Sequence, residues 1–196
     1  MTFKIGLTGS IGMGKSTTAA MFADEGCDVW DADAAVHRLY SKDGAAVDPL
    51  GQLYPDAIVE NAVSREVLKQ IIAKDRSALT KIEKIVHPLV GQNRAVFLEN
   101  AASDIVVFDI PLLFETGGDK NVDATVCVSV DPDTQAKRVL ARGTMSRETF
   151  ESIRAKQMPN DQKCALSDFV IITDDLEHAR QQVQAVLAAI RERMHA

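Results

Sequence analysis

The sequence predicts an α/β fold with a parallel sheet, and three observations carry that prediction. Short apolar runs, among them Ile105-Val106-Val107-Phe108 and Phe169-Val170-Ile171-Ile172, alternate with longer segments of helical periodicity. These runs lack polar alternation, as strands covered on both faces do. Two of them also lead into residues with chemical potential: Phe3 to Thr8 runs into a glycine-rich loop, and Ile105 to Phe108 ends on Asp109.

The loop is Gly9-Ser10-Ile11-Gly12-Met13-Gly14-Lys15-Ser16, two glycines separated by four residues and followed by Lys and a hydroxyl residue. Its glycines let successive N–H groups converge on phosphate oxygens at a helix N-terminus, where the partial positive charge favours anions. Lys15 then reaches the β- and γ-phosphates, and the Ser16 hydroxyl ligates Mg²⁺. Thr17 to Glu25 reads as the helix that follows, ended by Gly26.

Cys27 to Trp30 reads as a second strand running into Asp31-Ala32-Asp33. Two carboxylates one residue apart, close to a phosphate loop, suit a hydroxyl nucleophile and its Mg²⁺. The same pair suits the cap of a helix starting near Ala34. From 34 to about 101 the chain changes character. Val67, Leu68, Ile71 and Ile72, then Leu79, Ile82, Ile85 and Val86, recur at helical spacing, so the stretch reads as a mostly helical insertion between two strands. Within it, Pro88 is expected to end one helix and begin another, leaving His87 at the junction as a packing residue or a ligand contact.

Asp109, at the tip of a buried strand, has the position of an acid that orients Mg²⁺ or its waters. Pro111-Leu112-Leu113-Phe114-Glu115 continues into a loop. Ala124 to Val130 reads as a strand, and Asp131-Pro132 as a helix start. That helix carries Lys137, Arg138 and Arg142, with Arg147 and Arg154 beyond a Gly143-Thr144-Met145-Ser146 break. Arg138 and Arg142, four residues apart, share a face, which suits a lid closing on phosphates; a solvated charged face has the same pattern, with Glu148 and Glu151 interleaved. Phe169 to Ile172 is the last strand and Leu176 to Met194 an amphipathic helix.

At 196 residues the chain suits one domain with an insertion or two small lobes. Its net charge of −6 argues against a protein that mainly grips nucleic acid, so an anion needs a local basic site. Cys27, Cys127 and Cys164 have neither disulfide-framework nor zinc-site spacing and read as free thiols. The chain begins directly on its first strand, and no apolar run approaches membrane-spanning length. The expectation is a cytoplasmic protein with no membrane and no nucleic-acid partner.

Three phosphate-loop enzyme classes compete, beside a non-catalytic module. The Asn-Lys-x-Asp base-reading segment of a GTPase-type switch is absent, as is the Gly-rich signature of a transport ATPase. A small-molecule kinase needs a phosphate loop, an acid near the acceptor, an acceptor-binding insertion and an arginine lid. A non-catalytic ATP-binding regulatory module needs only the loop and has no use for lid arginines.

The segments Leu7 to Thr17, Asp31-Ala32-Asp33, Ile85-Val86-His87-Pro88, Asp109-Ile110-Pro111-Leu112-Leu113-Phe114-Glu115 and Arg154-Ala155-Lys156-Gln157-Met158-Pro159 resemble, in order and spacing, the dephospho-CoA kinase family. The resemblance spans nearly the whole chain. It implies a P-loop kinase three-layer fold: a five-stranded parallel core over 1–33 and 104–196, a lid at about 138–157, and a helical CoA-binding insertion over 34–103. It also implies transfer of the ATP γ-phosphoryl, with Mg²⁺, to the ribose 3′-hydroxyl of dephospho-CoA, the last step of coenzyme A synthesis. Under that resemblance Asp33 engages the 3′-hydroxyl, with Asp31 beside it. Ile11, Gly12, Met13, Gly14, Lys15, Ser16 and Thr17 hold ATP, and Arg138 and Arg142 clamp phosphates. Arg65, His87, Pro111, Leu112 and Arg154 face the acceptor, and Ser16 and Asp109 serve the metal. The chain departs from the family pattern around its last strand, where Ser167-Asp168 precedes and Thr173-Asp174-Asp175 follows, and in lacking a Gly before Arg65.

Overall fold

The computed structural model describes residues 2 to 195. In chain order, β1 (Phe3–Thr8), α1 (Lys15–Asp24) and β2 (Asp28–Asp31) lead into α2 (Ala32–Tyr40) and α3 (Val47–Leu53). A short hairpin, β3 (Ile58–Val59) and β4 (Ala62–Val63), precedes α4 (Arg65–Lys74) and α5 (Ser77–Asn100). Next come β5 (Ile105–Asp109), β6 (Ala124–Ser129), α6 (Pro132–Ala141) and α7 (Arg147–Lys156). The chain closes with α8 (Asn160–Leu166), β7 (Phe169–Ile172) and α9 (Leu176–His195). It divides into two compact units, Met1–Trp30 with Ala101–Ala196, and Asp31–Asn100. Both limits of the second lie three residues before the 34 and 103 read from sequence, because Asp31 caps α2 and α5 stops at Asn100.

In the first unit the five strands lie in the order β2-β5-β1-β6-β7. β1 runs parallel to β5 and β6, and β6 parallel to β7. The register sets Leu7 beside Asp109 and Thr8 beside Cys127, so the strand ends that carry chemistry emerge together at the carboxyl edge. That edge is where open α/β sheets take ligands. All of β5 is buried, as its unbroken apolar run requires. Val183, Val186, Leu187 and Ile190 of α9 share one core with Phe22 of α1 and with Ile5, Leu7, Val126 and Ile171 of the sheet. Trp30 meets Phe108 edge-to-face at 5.9 Å.

Local chemistry sets the helix ends. α1 begins at Lys15, two residues before the expected start, directly after Gly14 in the left-handed conformation. It ends with the Cys27 N–H donating to Phe22 O and the Gly26 N–H to Ala23 O, a Schellman arrangement. Asp131 caps α6 by accepting the N–H groups of Asp133 and Thr134, with Pro132 in the first turn. Ser146 caps α7, ending the break after Arg142. No periodicity marks α8, which has only seven residues.

The second unit is mostly helical, around a core that includes Leu39, Leu50, Leu68, Ile82 and Val86. The small hairpin was not expected. It turns on Glu60 and Asn61, both at positive φ (50° and 62°), a conformation that Asn tolerates and Glu rarely adopts. The break expected at Pro88 is absent, because α5 runs through it for 24 residues. A proline removes one donor and crowds one carbonyl. Ile82 and Val86 before it and Leu89 and Val90 after it pack on the same core, and that shared face holds the two halves in one helix. His87 is therefore an exposed position on a continuous helix.

Candidate active site

The phosphate loop is clasped by the elements around it. Gly12 has φ 79°, and a Cβ there would stand 2.4 Å from Val139 Cγ2 of α6. Gly14 has φ 94°, and a Cβ there would stand 2.9 Å from Thr173 Oγ1 after β7. Both positions thus need glycine for conformation and for space. Buried Met13 accepts the Val130 N–H on its sulfur at 3.3 Å, tying the loop to the end of β6. Met13 O accepts from Thr173 Oγ1 at 2.7 Å, and Ile11 O from Gln135 Nε2 at 2.7 Å. On the other side the Ser10 N–H donates to Asn160 Oδ1 at 2.9 Å and the Ile11 N–H to Gln157 Oε1 at 3.2 Å. Ser16 and Thr17, in the first turn of α1, are exposed.

Lys15 forms an ion pair and hydrogen bond with Asp109, which is 2% exposed. The strand pairing of β1 with β5 brings the two together across 94 residues of sequence. Beyond Asp109, the Pro111 carbonyl accepts from Thr8 Oγ1 at 3.1 Å and from Lys163 Nζ at 2.7 Å. Lys163, on α8, has a wholly buried side chain and a 2.9 Å contact with Glu115 Oε1, which also accepts the Met158 N–H. Burial alone would raise the Glu115 carboxyl, but the Lys163 and Met158 donors outweigh it and hold its pKa below the ordinary value. Leu113 is buried, whereas Leu112 is 42% exposed.

Arg138, half-buried on α6, donates to Thr173 Oγ1 at 3.1 Å and to the carbonyls of Thr173 and Asp174. It borders a cavity of about 230 Å³ lined by Gly14, Thr17, Thr18, Arg142, Thr173 and Leu176 among others. Arg142, at the C-terminal end of the same helix, is an exposed side chain of that lining. The structure thus brings Lys15, Asp109, Arg138, Arg142 and the loop to one end of the sheet. Arg154 instead lies over the Phe150 ring at 5.4 Å, exposed on α7.

The remaining expected residues belong to the second unit. Asp31 caps α2, its Oδ1 accepting the Ala34 N–H at 2.9 Å, and Asp33 is exposed in the first turn. Arg65, the first residue of α4, stacks over Tyr40 at 5.5 Å. His87 is exposed on α5. Sequence reasoning gave no role to Gln135, Asn160, Lys163 or Thr173, and quoted Gln157 only within a motif. Thr173 stood out only as a departure from the family pattern.

Cys27 and Cys127 are buried free thiols and Cys164 is half-buried, its Sγ 3.5 Å from that of Cys127. Among the described residues no helix is long and apolar enough to cross a membrane.

A glycine-rich loop on the central strand of a five-stranded parallel sheet, with its lysine paired to the acid of the neighbouring strand, defines the class of P-loop small-molecule kinases. A shikimate kinase from Acinetobacter baumannii shares this fold at a TM-score of 0.53 and 13% identity, over 98% of this chain and 95% of that one. The chain belongs to the dephospho-CoA kinase family, whose model matches residues 3–178. A dephospho-CoA kinase from Ruegeria pomeroyi is 66% identical over 191 residues, 97% of each chain. Another from Cereibacter sphaeroides is 53% identical over 97% of this chain and 96% of its own. A Thermus thermophilus crystal structure superposes with a TM-score of 0.87 at 31% identity, covering 96% of this chain and 97% of the other.

Proposed function

We propose that the protein transfers the γ-phosphoryl group of ATP to the ribose 3′-hydroxyl of dephospho-CoA, giving coenzyme A and ADP. The observation that carries this reading is the 66% identity to a dephospho-CoA kinase over essentially the full chain. The paired Lys15 and Asp109 at the loop supply the phosphate-handling chemistry the reaction needs.

In this reading the N–H groups from Gly12 to Thr17 surround the β- and γ-phosphates, and Lys15 turns from Asp109 to them as ATP arrives. Arg142 neutralises charge on the transferring group from the rim of the 230 Å³ cavity, while the adenosine end occupies that cavity beside Arg138 and Thr173. The acceptor hydroxyl donates its hydrogen bond to Asp33, which aligns the oxygen on the γ-phosphorus and takes its proton as the bond to the leaving ADP breaks. Arg65, His87, Pro111, Leu112 and Arg154 hold the rest of the acceptor. No covalent enzyme intermediate is required.

The donor set suits magnesium: a serine hydroxyl at Ser16 and a carboxylate at Asp109 are hard oxygen ligands, with no thiolate beside them. When bound, magnesium offsets charge on the β- and γ-phosphates. The free thiols fit work in the cytoplasm.

The test is ADP release by purified protein with ATP and Mg²⁺, comparing dephospho-CoA with AMP, adenosine, shikimate and no acceptor. Turnover confined to dephospho-CoA, with a new 3′-phosphate on the product, is the expected result. ADP formed only with another acceptor overturns the acceptor assignment; no acceptor-dependent turnover overturns the kinase reading.

A further inference from the structure

We propose that Gln135 and Gln157 are positioning residues for phosphoryl transfer, acting by fixing the two peptide units on either side of Ile11 in the phosphate loop. The Ile11 N–H donates to Gln157 Oε1 at 3.2 Å, and the Ile11 carbonyl accepts from Gln135 Nε2 at 2.7 Å. In a trans peptide the C=O and the following N–H point in opposite directions. Turning the Ile11 carbonyl toward Gln135 therefore turns the Gly12 N–H the other way, away from the Gln135 side chain. Thr173 Oγ1 does the same two residues on: it holds Met13 O at 2.7 Å and so sets the direction of the Gly14 N–H. Glycines permit these peptides to turn either way, so the clasp removes a freedom that their flexibility creates.

One glutamine lies on α6, the helix that carries Arg138 and ends at Arg142, and the other at the end of α7. Gln135 is in the first turns of α6 and 2% exposed, and Gln157 directly follows α7. Asn160 adds a third side chain, accepting the Ser10 N–H at 2.9 Å. All three are neutral, so they satisfy loop groups without placing negative charge beside an anion site. The loop thus has its amide directions set in part by α6, the helix that presents Arg138 and Arg142.

The inference rests on the loop being the phosphate site for ATP, which Lys15→Met tests separately. In the purified enzyme, Gln157→Leu and Gln135→Met each remove one hydrogen bond while roughly keeping volume. Each is expected to raise the ATP KM about tenfold, the scale of one lost hydrogen bond, with the dephospho-CoA KM within about twofold. The double variant is expected to raise it by less than the product of the two, because both act around one residue. A purely structural role would lower kcat and thermal midpoint without this split in KM. Amide exchange at Ile11 in the unaltered protein needs no variant to fold: protection without nucleotide is expected, and rapid exchange overturns the clasp. An ATP KM unchanged in both variants, or an acceptor KM that moves equally, also overturns it. Loss of ATP binding in Lys15→Met alone leaves the loop reading standing and removes only the clasp; ATP binding retained in Lys15→Met removes the loop reading itself.

Discussion

Asp31 and Asp33 show how one residue of spacing separates two environments. A carboxylate whose oxygen accepts the Ala34 N–H is committed to starting α2, while Asp33 stays exposed in the first turn. Replacing Asp33 with Asn keeps size and removes the carboxylate that the proposed mechanism uses as proton acceptor, so turnover is expected to fall about 10²- to 10⁴-fold. Nucleotide binding, followed by titration with ATP, is expected to survive. The Lys163 and Glu115 pair makes a second residue-scale case, since the lysine side chain is wholly buried and the carboxylate is its charge partner. The folded Glu115 holds its proton less tightly than the unfolded carboxyl, so the pair stabilises the fold above the ordinary carboxylate range and that contribution fades as pH falls through the folded pKa. Glu115→Gln is expected to cost about 3 kcal/mol at pH 7, by leaving Lys163 buried and unpaired, and to flatten the acid limb of a stability-against-pH curve. Lys15 and Asp109 were legible in the sequence because each sits at a fixed offset from a glycine pattern or an apolar run. Lys163 and Gln135 were not, because their partners lie 52 and 124 residues away and nothing local distinguishes a buried amide or ammonium from a surface one.

At the scale of elements, the strands of the sheet were readable because burial on both faces forces apolar runs such as Ile105 to Phe108. α9 was readable because its buried residues repeat at three and four positions; Leu187→Ala is expected to cost about 2–5 kcal/mol in denaturant unfolding, the price of a cavity in a core with no exposed face there. The hairpin at Ile58–Val63 and the seven-residue α8 were missed for the opposite reason: each is too short to show a period, and each is set by packing. α5 carries the sharper lesson. Pro88 costs helix stability locally, yet the apolar residues on both sides of it share one core and tertiary packing overrides the break. Pro88→Ala is therefore expected to stabilise the second unit by about 1–3 kcal/mol in urea unfolding, with helicity unchanged by circular dichroism.

For the whole molecule, the division into two units coincides with a division of spectroscopic probes. Trp30, the one tryptophan, is buried against Phe108 in the first unit, and the two tyrosines, Tyr40 and Tyr54, both lie in the second. The insertion leaves the sheet after β2 and returns at β5, two strands that are neighbours in the sheet, so the tryptophan reports on the strand from which the chain departs. A net charge of −6 gives no general attraction for a polyanionic nucleotide, so the proposed function assigns its binding energy to the loop amides, Lys15 and the arginines of α6. A ligand that binds only the folded state stabilises it by mass action, about 2.7 kcal/mol at a hundred times its Kd. The tryptophan-monitored unfolding midpoint is accordingly expected to rise with ATP and Mg²⁺, and the rise to vanish in Lys15→Met. The same shift in Lys15→Met as in the unaltered protein would mean that ATP is held by something other than the loop, and would move the site away from the carboxyl edge of β1.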